Sequence, residues 1–142
     1  MDAMKISMSG LDVEWQRLQV IAQNLANMNS TRTEAGDVFR PLRLVSGPST
    51  DFNTLLQGGS AALKPTTVQV LGIEPQADGV RRVYEPTHPN ADPDGFVSYP
   101  NVDHAGEMTL MIKTSRAYEA NLAAISIAQT MYSKALDMGR QG

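Results

Sequence analysis

MTLMIKTSRAYEANLAAISIAQTMYSKALDM, residues 108–138, contains neither proline nor glycine. Residues at spacings of three and four trace a seam along it: Met108, Met111, Ser115, Tyr118, Leu122, Ile125, Gln129, Tyr132 and Leu136. That period belongs to a helix and suits coiled-coil packing. A second stripe of Ala117, Asn121, Ala124, Ala128, Met131, Ala135 and Met138 lies beside it, with small residues that let another backbone approach closely. Asp103 is a natural N-cap and Gly139 a natural stop, so the spacing predicts one helix from Asp103 to about Met138. At about 1.5 Å per residue it is roughly 50 Å long, too long for a compact chain of this size.

Within that helix SRAYEAN, residues 115–121, gathers a hydroxyl, a cation, a phenol, a carboxylate and an amide. A nucleophile there would need a base within hydrogen-bond reach, and no histidine lies near in sequence. Ser115 and Tyr118 fall on the seam, while Arg116 and Glu119 fall beside it as an i,i+3 pair. The pattern is that of a contact face rather than a catalytic centre.

The amino-terminal segment has the same period. Met4, Met8, Leu11, Trp15, Leu18, Ala22 and Leu25 form its seam, widened by Ile21 and Met28, which predicts a helix from about Met4 to Met28. Asn27, Asn29, Ser30 and Thr31 compete for backbone hydrogen bonds and mark its exit. All eight prolines lie between Pro41 and Pro100, and all eight methionines lie outside that interval. Proline breaks helix interiors and methionine favours them, so two terminal helices flank a turn-rich middle.

The middle reads as short strands and loops. DVFRPLRLV (37–45), TTVQVLGI (66–73) and GVRRVYE (79–85) are the strand candidates, with Pro41 confining the first to an edge or a bulge. SGPSTDFNTLLQGGSAALKP (46–65) reads as a mobile loop, and residues 86–100 as a turn-dominated path to the second helix. The fold class is therefore mainly α with a small β region. Its units are an amino-terminal helix over 1–32, a β and loop unit over 33–102, and a carboxy-terminal helix over 103–142. Two long helices with apolar faces to spare imply an assembly.

Composition narrows the chemistry. The 142 residues carry a net charge of −3 with no dense basic stripe, against nucleic-acid binding. There is no cysteine, hence no disulfide, thiolate metal site or thiol nucleophile. His88 and His104 lack metal-ligand spacing. NADPDG (90–95) superficially resembles the start of a calcium loop, but Pro93 interrupts it and position twelve would be Asn101 instead of a bidentate Glu. Gly58 and Gly59 lack the Lys-Ser/Thr of a phosphate loop. No cofactor, metal or catalytic residue is expected. The amino terminus has no uninterrupted apolar core for a signal peptide, and nothing later is apolar enough to span a bilayer.

SGLDVEWQRLQVIAQNLANMNSTRT (9–33) contains an Asn-Leu-Ala-Asn-x-Asn run at Asn24, Leu25, Ala26, Asn27 and Asn29, with Ser30 where Thr is usual. VYEPTHPNADPDGFV (83–97), YPNV (99–102), SRAYEAN and KALDMG (134–139) complete a pattern that resembles the rod and hook family of bacterial flagellar axial proteins, and within it the proximal-rod members. HAG (104–106) departs from that pattern, and Gly106 weakens the first helical turn by up to about 1 kcal/mol relative to Ala.

The resemblance implies a structural component of the basal-body rod. Such proteins stack paired terminal helices into a helical shaft that crosses the periplasm and transmits torque. They leave through the flagellar type III export apparatus, without a cleaved signal. The implied partners are copies of itself, other rod proteins and the hook-basal-body adaptor near the export gate. The residues expected at subunit interfaces are Leu11, Trp15, Leu18, Leu25, Asn27, Asn29, Met111, Arg116, Tyr118, Glu119, Asn121, Leu122, Ile125 and Tyr132. Competing readings are another rod or hook protein, an enzyme, and a soluble coiled-coil adaptor. The adaptor would be a cooperative helical monomer, whereas a rod subunit should have loose termini until assembled.

Overall fold

The computed structural model describes residues 2–31, 36–49 and 67–140. Among the described residues two helices flank four strands in the order α1 (Asp2–Ala26), β1 (Leu42–Pro48), β2 (Val68–Pro75), β3 (Val80–Tyr84), β4 (Phe96–Pro100) and α2 (His104–Arg140). Mainly α with a small β insertion is thus the observed class.

α1 ends where asparagine was expected to end it. The Gln23 carbonyl accepts both the Asn27 N–H at 3.1 Å and the Asn27 side-chain amide at 2.9 Å, and the bonds that follow are three-residue ones, Met28 to Leu25 and Ser30 to Asn27. α2 starts directly after Asp103, whose carbonyl accepts from the Glu107 N–H at 2.8 Å.

β1 and β2 form one antiparallel pair, Leu42 opposite Pro75 and Pro48 opposite Val68, with a bulge between Val45 and Ser46. β1 begins after Pro41 rather than running through it, and it continues into Ser46–Pro48, which composition assigned to a loop. From Thr50 onward that expected loop lies outside the described residues. β3 and β4 form a second antiparallel pair, Val80 opposite Pro100 and Tyr84 opposite Phe96.

β4 adds a strand to the turn-dominated path expected over 86–100. FVSYP pairs because the turn before it is prefolded by Asp92, whose Oδ1 accepts from the N–H groups of Asp94 and Phe96 at 3.1 and 2.8 Å. Gly95 supplies the positive φ of 81° that redirects the chain, and Val97 is then buried on one face. The Phe96 N–H bond, with help from Arg82, holds the Asp92 carboxyl below its ordinary range. The residues that suggested calcium therefore serve a hairpin. Among the described residues no cluster of His, Asp or Glu has the makings of a metal site.

The core is thin. Val13 and Val20 of α1 and Leu44 of β1 form its buried cluster, with Leu42, Val68 and Val70 packed against them. The β1–β2 pair thus lies along one flank of α1, while α2 lies along another.

Candidate functional site

α1 and α2 run antiparallel. Asn24 meets Glu107, Trp15 meets Tyr118 with ring centroids 6.3 Å apart, and Gly10 meets Asn121. Ala3 and Met4 line a cavity of 510 Å³ with Ala128, Met131 and Tyr132, beyond which α2 continues without α1 beside it. At Gly10 the approach is close: a Cβ there would lie 2.8 Å from the Asn121 amide nitrogen. A side chain at position 10 would have to displace the Asn121 carboxamide from where it sits.

Neither expected stripe is quite the one that packs. On α2 the inward positions Glu107, Met111, Thr114, Tyr118, Asn121, Ile125 and Ala128 form a heptad line lying between the two stripes, bordered by half-buried Ser115 and Ala117. Met111, Tyr118 and Ile125 come from one stripe, Asn121 and Ala128 from the other. Thr114 was in neither, yet is only 2% exposed. On α1 the buried residues are Val13, Val20, Ile21 and Asn24. At about 100° per residue Val13, Val20 and Asn24 lie roughly a third of a turn or more from the line through Met4, Leu11, Leu18 and Leu25, whereas Ile21 borders that line, as the widened stripe anticipated.

The expected interface residues divide accordingly. Leu11, Leu18, Leu25, Met111, Tyr118, Asn121 and Ile125 are half-buried within the chain's own hairpin, and Asn27 is half-buried at the end of α1. Trp15 and Leu122, each 53% exposed, and Tyr132, Asn29, Arg116 and Glu119 stand in the open. Arg116 and Glu119 do not pair: the ion pairs among the described residues are Glu14–Arg17 and Arg82–Asp92. An exposed i,i+3 pair gains only a few tenths of a kcal/mol, too little to hold two long side chains together.

The apolar surface left over is extensive. Met8, Leu11, Asp12, Trp15 and Tyr118 line an open groove of 350 Å³. Ile127, Met131, Leu136 and Met138 are exposed further along α2, Met138 reaching 71% exposure. No histidine enters either helix face. His104 is exposed at the start of α2, and His88 accepts the Asn90 N–H within a turn.

The polar junction at the other end of the hairpin was not foreseen. Asn24, on α1, is 1% exposed and bonds both Leu42 of β1 and Glu107 of α2. Burial raises the Glu107 carboxyl above its ordinary range, opposed by the Asn24 bond and by Arg43, and aided by Asp103. A raised folded pKa stabilises at low pH, and that contribution is lost as pH rises through the folded value. Glu107→Gln keeps the acceptor oxygen and removes the charge. Its melting temperature should exceed that of the unaltered chain near pH 7, the difference shrinking towards zero below about pH 4. A pH-independent difference in thermal melts would refute this.

Comparison with known proteins bears on both helices. Residues 4–32 match the family described as flagella basal body rod protein. Residues 94–138 match the family described as flagellar basal body rod FlgEFG protein C-terminal. The chain is 33% identical to the flagellar basal-body rod protein FlgC of Bacillus subtilis (strain 168), with 97% of each chain covered. It is 36% identical to the FlgC proteins of Escherichia coli O6:H1 and of Salmonella typhimurium, covering 95% of this chain and 94% of each relative.

Proposed function

The chain belongs to the FlgC family of flagellar basal-body rod proteins and is a structural component of the rod, and on that premise we propose that it builds the proximal rod by helical self-assembly and packing against other rod proteins. One observation supports this most directly. After α1 and α2 have paired, apolar side chains along both helices remain in solvent, more than a monomer of this size has reason to expose. Contacts of that kind, repeated head to tail without closing into a ring, generate a filament.

In this reading residues 1–32 and 103–142 form the axial helical unit, and residues 33–102 form a β unit that adds lateral contacts. The role is mechanical: torque passes from subunit to subunit through packed helix faces, with no chemical step. The subunit reaches the periplasm through the flagellar type III export apparatus without a cleaved signal, and its neighbours include the hook-basal-body adaptor near the export gate. No helix among the described residues is long and apolar enough to cross a membrane.

Leu122→Asp tests the proposal. Leu122 is already half in water, so the charge should leave the subunit's fold and export largely intact while sharply reducing rod assembly and swimming. Leu25→Asp, at a half-buried position, should reduce both assembly and subunit stability. Strains that swim normally with both substitutions would rule out helix-face packing as the basis of the rod.

A further inference from the structure

The Asn24 carboxamide makes contacts in two directions that belong to different parts of the fold. Its Nδ2 donates to the Leu42 carbonyl at 2.9 Å, and the Leu42 N–H donates back to Oδ1 at 2.8 Å. This reciprocal pair imitates one residue of an antiparallel strand, offered by a helix to the first residue of β1. Nδ2 also donates to Glu107 Oε1 at 3.2 Å, across 83 residues of sequence. Glu107 lies in the first turn of α2, which Gly106 makes intrinsically weak. Among the described residues its other oxygen, Oε2, is buried without a partner, and Asn24 is the group that hydrogen-bonds this carboxylate.

We infer that Asn24 is a positioning residue that locks the start of β1 to α1 and, through Glu107, ties the first turn of α2 to the same point. It thereby fixes the β unit to the helical hairpin. Backbone groups at the start of a strand must find partners when they are buried. A side-chain amide donates and accepts at this spacing without carrying charge. Alanine would abandon both Leu42 groups and the Glu107 carboxylate. Aspartate would keep the acceptor for the Leu42 N–H, lose both donations, and set carboxylate oxygens against the Leu42 carbonyl and the Glu107 carboxylate. The rod reading enters only in the consequence, that subunits with a loosened β unit would present their lateral contacts in varied orientations.

The test is amide hydrogen exchange on the full-length isolated chain, independent of any rod. In the unaltered chain the Leu42 amide and those following Glu107 should be protected. Asn24→Asp should speed exchange at the first turn of α2 by about tenfold or more. Adding Glu107→Gln reverses donor and acceptor, since the amide it introduces on α2 can donate to the carboxylate introduced on α1, and should restore slow exchange there. A simple loss of packing would not be rescued in this way. No protection at Leu42 in the unaltered chain, unchanged exchange in Asn24→Asp, or no recovery in the double variant would each overturn the lock. Should Asn24→Asp fail to fold, recovered folding in the double variant supports the lock and continued failure refutes it.

Discussion

Val20→Asp unfolds the chain. Val20 is 6% exposed and belongs with Val13 and Leu44 to the small cluster that joins α1 to the β1–β2 pair. Removing its side chain from that cluster forfeits about 1.5–3 kcal/mol of burial. A carboxylate in its place must be desolvated or protonated, which costs several kcal/mol more. The nearest cation on α1, Arg17, is already held by Glu14 at 2.6 and 2.8 Å and by Ser46 at 2.9 Å, so it is not free to neutralise a new acid. A domain is stable by roughly 5–15 kcal/mol, and a core this thin belongs at the lower end. Circular dichroism at room temperature should show most of the helical signal lost. Val20→Ala, which only leaves a small cavity, should still melt cooperatively at a lower temperature. Native-like melting of the Asp variant would mean that the α1–sheet cluster is not what holds the fold together.

The same cluster shows what could be read in the sequence. Helix positions and lengths follow from the exclusion of proline and the recurrence of methionine and leucine, and both helices lie within a few residues of where the spacing puts them. Which face turns inward does not follow. α1 carries apolar residues in more than one direction, and Val13 and Val20 become the core only because the β1–β2 pair docks on their side. That docking is set by residues more than twenty positions away in β1 and still farther in β2, beyond any local period. On α2 the packing line runs between two legible stripes because its register is fixed by Asn24 with Glu107 and Gly10 with Asn121. Pairs so distant leave no mark on hydrophobic periodicity. β4 was hidden by its setting: FVSYP alternates like a strand, yet it lies among the Pro, Asp and Asn residues that build the turn enabling it to pair.

Asn24 had been visible only as the first residue of Asn-Leu-Ala-Asn, a resemblance with no mechanism attached. Its two-sided bond to Leu42 supplies one. SRAYEAN is likewise resolved into separate tasks. Tyr118 and Asn121 face α1, whereas Arg116 and Glu119 remain unpaired in solvent, available to a neighbour.

A chain ending at Tyr132 should fold as the full chain does and fail to build a rod. The hairpin's contacts extend from Asn24 and Glu107 at one end to Ala3, Met4, Ala128, Met131 and Tyr132 at the other. Residues 133–140 lie past that last contact, a further stretch of about 12 Å of helix at about 1.5 Å per residue. Leu136 and Met138 there are 52% and 71% exposed, so removing them takes almost nothing from the folded subunit. Melting should shift by no more than an exposed substitution does, about 0.5 kcal/mol in stability. Assembly is different, because each subunit in a helical array repeats the same contact with its neighbours, and losing one contact class stops growth everywhere at once. The strain producing this shortened chain should be non-motile, with the subunit still detectable in the periplasm. Full motility would show that the overhanging turns of α2 touch no neighbour. A large drop in melting temperature would instead place them in the subunit's own fold, and either result would refute their assignment as an assembly surface.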